Sequence, residues 1–243
     1  KEKLTNATDE KLSKTLYTKS RQFTIPYFQR RYKWNAKKVG RLADDLIEKM
    51  ESEDGYPHFM GAIIMHRPHC PSGEVQRQEL IDGQQRIFTL FLGLLAISEK
   101  LAIEGFTKEA SQLLKLRIFT DTDLKHQETN LTYLPANVDR HALNEIVDRI
   151  LQTNNVRTYF DNDWEFDKPR RNRTGERSNA PTAYREWQKK ITEVYGANKN
   201  NGNESLNDLA DVLMQQTSFV EIVTVDPSHG PKVYDRLNAR GET

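Results

Sequence analysis

Strand-like residues 75–81 run straight into Asp82-Gly83-Gln84-Gln85-Arg86, and a helix-period series follows through Ile87, Leu90, Phe91, Leu94, Leu95 and Leu101. A strand that hands over to a helix through Asp-Gly sets the helix's first N–H groups, and the positive end of its dipole, at the end of a sheet. Such a terminus attracts anions. Gly83 permits close backbone approach, Gln84 and Gln85 bring neutral donors, and Arg86 offers a planar fork for phosphate oxygens. Two readings of Asp82 stand. It holds a divalent cation that bridges it to a phosphate, or it is the helix N-cap, with Gln85 at N3 completing a capping box.

Around this junction the pattern predicts alternating strands and helices. Residues 58–66 and 75–81 form a hairpin across a turn at 71–73. Asn35 caps a helix to about Ser52, carried by Val39, Leu42, Leu46, Ile47 and Met50. Residues 4–19 read as an amphipathic helix with a sparse stripe of Leu4, Leu12 and Leu16. Residues 22–28 read as an edge or terminating strand, because Pro26 cannot donate to a ladder. Further on, helices are expected near 107–116, 138–152, 181–196, 204–216 and 232–237. Strands are expected near 116–120, 130–134 and 218–225. Residues 161–181, rich in Asn, Asp, Arg, Lys and Pro, read as a long exposed loop tolerant of cutting or exchange. The helical stripe after Arg86 reads as core.

Charge adds a second feature. Lys+Arg total 36 against 35 Asp+Glu, a net charge of +1 that does not mark a wholesale nucleic-acid binder. Locally the balance differs, for Lys11 to Arg41 contains ten basic residues and no Asp or Glu. Asp44, Asp45, Glu48, Glu51, Glu53 and Asp54 follow and can neutralise it through i,i+4 pairs. Tyr27, Phe28, Tyr32 and Trp34 are interleaved with the block, as in sites that stack a base and grip a phosphate. A solvated face and an anion site both fit.

Several classes are set aside. The longest apolar stretch, 87–103, is interrupted by Thr89, Ser98, Glu99 and Lys100, so no membrane span is expected. The N-terminus has no apolar signal-peptide core and Cys70 is the lone cysteine, which points to a reducing, cytoplasmic setting. His66-Arg67-Pro68-His69-Cys70 has metal-capable side chains but no second cluster to complete a zinc site. Without Gly-x-x-x-x-Gly-Lys-Ser/Thr there is no P-loop.

Ile25-Pro26-Tyr27-Phe28-Gln29-Arg30 and Val233-Tyr234-Asp235-Arg236-Leu237-Asn238-Ala239-Arg240-Gly241 again combine an amide, Arg and an aromatic. With the Asp-Gly-Gln-Gln-Arg turn, in this order along nearly the whole chain, they resemble the N-terminal domain of GmrSD-type modification-dependent restriction endonucleases. That family carries Ile-Pro-x-Tyr-Gln-Arg, Asp-Gly-Gln-Gln-Arg and Leu-Asn-x-Arg-Gly. This sequence departs in Phe28, where Tyr is usual, and in Ile87-Phe88, where Leu-Thr is usual; neither change removes a charged or amide group.

The resemblance implies an α+β fold, a ParB/sulfiredoxin-like α/β core over 1–120 and a mainly helical portion over 121–243. It implies binding of a nucleoside triphosphate and its hydrolysis with Mg²⁺, in defence against phage DNA. Gln29, Arg30, Tyr32, Trp34, Gly83, Gln84, Asn238 and Arg240 are the expected nucleotide-binding residues. Asp82, Gln85 and Arg86 are the expected catalytic residues, with Asp82 on the metal. Tyr27, Tyr32 and Trp34 fit equally as pocket walls and as ordinary core aromatics. Expected partners are the nucleotide, DNA and an HNH nuclease domain or subunit outside this chain, with homo-oligomerisation left open. The chain stops two residues after Gly241, where the family continues, so it is expected to be a fragment without nuclease activity of its own. The competing readings are a non-catalytic DNA-binding module and a scaffold.

Overall fold

The hairpin is the frame on which the rest is hung. In the computed structural model, which describes residues 5–11, 21–25, 31–52, 55–70, 76–115, 131–160, 177–198 and 201–224, β3 (His58–His66) and β4 (Gln76–Asp82) pair antiparallel. Their alternation serves two faces. Ile63, Met65 and Leu80 enter the main core, whereas Ile64 and Ile81 join Ile222 in a second, smaller cluster. The other strands are β1 (Thr5–Lys11), β2 (Arg21–Thr24), β5 (Tyr133–Leu134) and β6 (Thr217–Thr224), and the six form one sheet in the order β1-β6-β3-β4-β2-β5. β6 runs parallel to β3 and antiparallel to β1, while β2 runs parallel to both β4 and β5.

Six α-helices accompany the sheet among the described residues: α1 (Ala36–Glu51), α2 (Gln84–Ile103), α3 (Thr107–Leu113), α4 (Asn137–Gln152), α5 (Ala180–Ala197) and α6 (Gly202–Gln215). A 3-10 stretch, Thr153–Tyr159, follows α4. The fold is α+β, with a mixed sheet. β6 lies between β1 and β3, and the main core draws on residues from Phe23 to Phe219, so residues beyond 121 share one sheet and one core with those before it. No described helix is long and apolar enough to cross a membrane.

α1 begins as its sequence predicts. Asn35 caps it, its Oδ1 accepting the Lys38 N–H at 3.0 Å, and Val39, Leu42, Ala43 and Leu46 are buried. α2 differs from expectation in degree, being buried on nearly every side from Ile87 to Ala102 with Lys100 the exception. It is therefore the central helix and not an amphipathic one with a single core stripe. Its one buried carboxylate, Glu99, accepts Arg149 Nε at 2.7 Å, the Tyr184 hydroxyl at 2.9 Å and Gln188 Nε2 at 2.5 Å, tying α2 to α4 and α5.

Two expectations are overturned. Residues 5–11 are a strand and not part of a helix: three leucines in 4–19 give a helix little to bury, and the ladder with β6, from Thr5 opposite Val223 to Lys11 opposite Ser218, decides the local structure. β2 is not an edge strand, since β5 lies outside it and the Phe23 N–H donates to Thr132 O at 2.7 Å. The ladder ends at Thr24, before the position of Pro26 in the sequence. The strand expected at 116–120, the helix at 232–237 and residues 161–176 of the expected loop lie outside the described residues.

Candidate functional site

β4 ends at Asp82 and α2 starts at Gln84, so the turn between them is Gly83 alone. Its φ of +92° is left-handed, and a Cβ there would fall 2.5 Å from Ile63 Cγ2; glycine is required on both counts. Gly83, not Asp82, is the N-cap, and no side chain caps the helix. The capping-box reading of Asp82 and Gln85 is thereby corrected. Asp82 stays in the strand, its Oδ2 3.4 Å from Arg86 Nη2, and Gln85 turns elsewhere.

Arg86 reaches across to β3. Its Nη1 donates to Met60 O and its Nη2 to Ala62 O, each at 2.5 Å. The β3–β4 pairing stops at Ile64 opposite Asp82, so the guanidinium takes up strand carbonyls that lie past the end of β4. Between those two carbonyls Gly61 has φ +88°, where the β3–β6 register shifts, and a Cβ on Gly61 would collide with Arg86 Nη1.

Gln85 faces the opposite way, toward the segment before α1. Its Oε1 accepts the Lys33 N–H at 2.7 Å and its Nε2 donates to Arg31 O at 3.2 Å. Between these two, Tyr32 is buried. Its hydroxyl lies 2.7 Å from Thr89 Oγ1, its N–H donates to Asp139 Oδ2 at 2.7 Å, and its ring stands edge-on to Phe88, which stacks on Tyr133. Tyr32 is thus both a core aromatic and a cleft wall. Trp34 is half-buried, with Lys38 Nζ 4.4 Å from its ring.

A small cleft of about 10 Å³, partly open to solvent, lies here between Ile25, Tyr32, Gln84, Gln85, Tyr133 and Asp139. This is room for about one water, far below the several hundred Å³ usual for a ligand site, so a nucleoside triphosphate would lie almost wholly outside it. Burial raises the Tyr32 and Tyr133 hydroxyls above their ordinary range, with the Asp139 charge adding to it. Asp139 is also pushed up by burial, against the opposing pull of Ser178, the Tyr32 N–H and Arg31.

Of the expected site residues, Tyr32, Gln84 and Gln85 meet at this cleft, Gly83 shapes the turn, and Trp34 flanks the same segment. Asp82 and Arg86 pair with each other beside β3. Tyr27, Phe28, Gln29, Arg30, Asn238 and Arg240 lie outside the described residues. Asp139, Tyr133 and Ser178 were missed. A clue to Asp139 was available, since Pro135 precedes a helix that carries an acidic residue in its first turn.

For Mg²⁺, the described residues contain no group of three or more His, Cys, Asp or Glu side chains. Asp82 brings one carboxylate, which suits an ion that takes most of its other ligands from phosphate and water. Elsewhere His66 Nδ1 lies 3.1 Å from Glu79 Oε2 across the hairpin. Asp44 pairs with Lys190 of α5 at 2.5 Å, so it is neutralised across two helices and not along its own.

A glycine-turned strand–helix junction, with its first helical turn bound to a segment 52 residues earlier, defines an α+β domain built around the N-terminus of one central helix. The sequence matches the family model of the GmrSD restriction endonuclease N-terminal domain over residues 13–243, and the chain belongs to that family. It is accordingly a domain of a restriction system, which implies association with a nuclease domain. No curated protein matches it significantly in sequence.

Proposed function

We propose that this domain binds a nucleoside triphosphate at the N-terminus of α2 and hydrolyses it with Mg²⁺, as the regulatory part of a phage-DNA restriction protein whose cleavage is performed by an HNH nuclease domain or subunit. The supporting observation is the double hydrogen bond of Gln85 to Arg31 and Lys33. It joins the Asp-Gly-Gln-Gln-Arg turn to the chain immediately after Gln29-Arg30, two of the three motifs, beside an aromatic-walled cleft.

In this reading Arg30 and Arg240 supply cationic forks to the phosphates, and Gln29, Gln84 and Asn238 supply neutral donors. Tyr32 and Trp34 form walls, and Gly83 lets the backbone approach. Asp82 would hold Mg²⁺, which when bound offsets charge on the phosphate oxygens. Hydrolysis joins a water oxygen to the γ-phosphorus and breaks its bond to the β-phosphate oxygen, releasing diphosphate nucleoside, phosphate and a proton. Arg86 and Gln85 keep the turn in place, Arg86 through β3 and Gln85 through residues 31–33.

Phosphate release from a nucleoside triphosphate with Mg²⁺ tests the proposal. Arg30→Ala and Asp82→Asn should abolish release while leaving helical content intact. Turnover at the wild-type rate in both would count against it. A second reading, a non-catalytic DNA-binding module, is favoured by the exposure of Lys33, Lys37, Lys38 and Arg41 near one end of α1. DNA affinity that falls steeply with salt, with no nucleotide binding, would select it.

A further inference from the structure

Three side chains from three elements grip residues 31–33. Gln85 of α2 takes Lys33 N–H and Arg31 O, Asn179 Nδ2 donates to Lys33 O at 3.3 Å, and Asp139, in the first turn of α4, accepts the Tyr32 N–H. Asp139 has a further partner. Its Oδ1 accepts the Ser178 hydroxyl at 2.5 Å, and Ser178 Oγ accepts the Ala180 N–H at 3.0 Å where α5 begins. One carboxylate, 1% exposed, therefore links the segment before α1 to the starts of α4 and α5.

A carboxylate in so buried a place is costly unless its oxygens are hydrogen-bonded, and here each has a donor. What those bonds fix is informative. They hold the backbone of Tyr32, whose ring lines the cleft beside Gln85 at the first turn of α2.

We propose that Asp139 is a positioning residue of the nucleotide site: by holding the Tyr32 backbone it sets residues 31–33, with the Tyr32 ring, against the first turn of α2. The inference rests on the nucleotide reading given above and adds to it a residue from outside the three motifs. Asp139 acts as a hydrogen-bond acceptor and not through charge on the phosphates, so an amide at this position can replace it. Through Ser178 the start of α5 joins the same support.

The experiment compares wild type, Asp139→Ala and Asp139→Asn as the full chain, reading amide hydrogen exchange over residues 31–34 together with KM and kcat for nucleoside triphosphate hydrolysis. Loss of a charge-assisted bond should speed exchange at the Tyr32 amide by about tenfold or more in Asp139→Ala, and raise KM by about tenfold with a smaller fall in kcat. Asp139→Asn, which keeps an acceptor for Tyr32, should restore both. Should Asp139→Ala fail to fold, Ser178→Ala, which removes one of the two bonds, is expected to give an intermediate effect on the same readouts. Unchanged exchange at Tyr32, or an Asn variant as impaired as the Ala variant, overturns the proposal. If wild type hydrolyses no nucleoside triphosphate, the nucleotide reading fails, and exchange alone then decides whether Asp139 fixes the segment.

Discussion

Gln85 holds the backbone of Lys33, accepting its N–H at 2.7 Å across 52 residues of sequence. With its second bond to Arg31 O, the side chain works as a clip, with acceptor and donor used on one segment. Gln85→Ala removes both and leaves backbone groups of residues 31 and 33 without these partners. A stability loss of about 1–3 kcal/mol is expected. Urea unfolding should show a lower midpoint with an unchanged slope.

Arg86 and Gly61 depend on each other. Gly61→Ala puts a side chain on a left-handed residue and into the guanidinium, so a loss of about 1–3 kcal/mol is expected. Arg86→Lys retains charge but lacks the fork that spans Met60 O and Ala62 O, for a loss of about 2 kcal/mol. Because both changes act on one contact, the double variant should be less destabilised than the sum of the singles. Chemical denaturation of the three variants measures this.

Asp139 makes stability depend on pH with a defined sign. Its folded-state pKa is raised by burial, so between the ordinary carboxylate pKa and the raised one the folded chain binds more protons than the unfolded chain. This group's contribution to stability is therefore greatest below the ordinary value and declines as pH rises through the raised one. Asp139→Asn should be at least as stable as wild type at neutral pH. That advantage should shrink as the solution is acidified through the window, read as the difference in Tm between the two proteins.

Glu99 is the acceptor for three donors from two other helices. Glu99→Ala leaves Tyr184 and Gln188 without it in a dry setting and frees Arg149 from its partner, and a loss of about 3–5 kcal/mol is expected. Thermal unfolding should show it, and Glu99→Gln should cost less because the amide oxygen still accepts.

Much of this architecture was legible because local chemistry and tertiary packing agree. Asn35 caps α1, the hairpin strands alternate in both directions, and Asp-Gly marks the strand–helix junction where α2 begins. What misled was local ambiguity. Asp82 has the chemistry of a cap, but the sharp turn demanded a residue at φ +92°, so Gly83 took the role and left Asp82 to Arg86. Residues 5–11 carry little periodic signal, and only pairing with β6, more than 200 residues away, makes them a strand. The Asp139 contribution was hidden for the same reason: a lone Asp in a helical first turn is ordinary in sequence, and its contacts to Tyr32 and Ser178 exist only after long-range folding.

The central claim is that a triphosphate is held between the first turn of α2 and the chain that leads into α1. A crystal structure with a non-hydrolysable nucleoside triphosphate and Mg²⁺ tests it most directly. The account expects ligand density beginning at the Tyr32–Gln85 cleft, with Arg30 and Arg240 on the phosphates and Asp82 on the metal. Nucleotide bound on another face, with these side chains apart from it, would contradict the account.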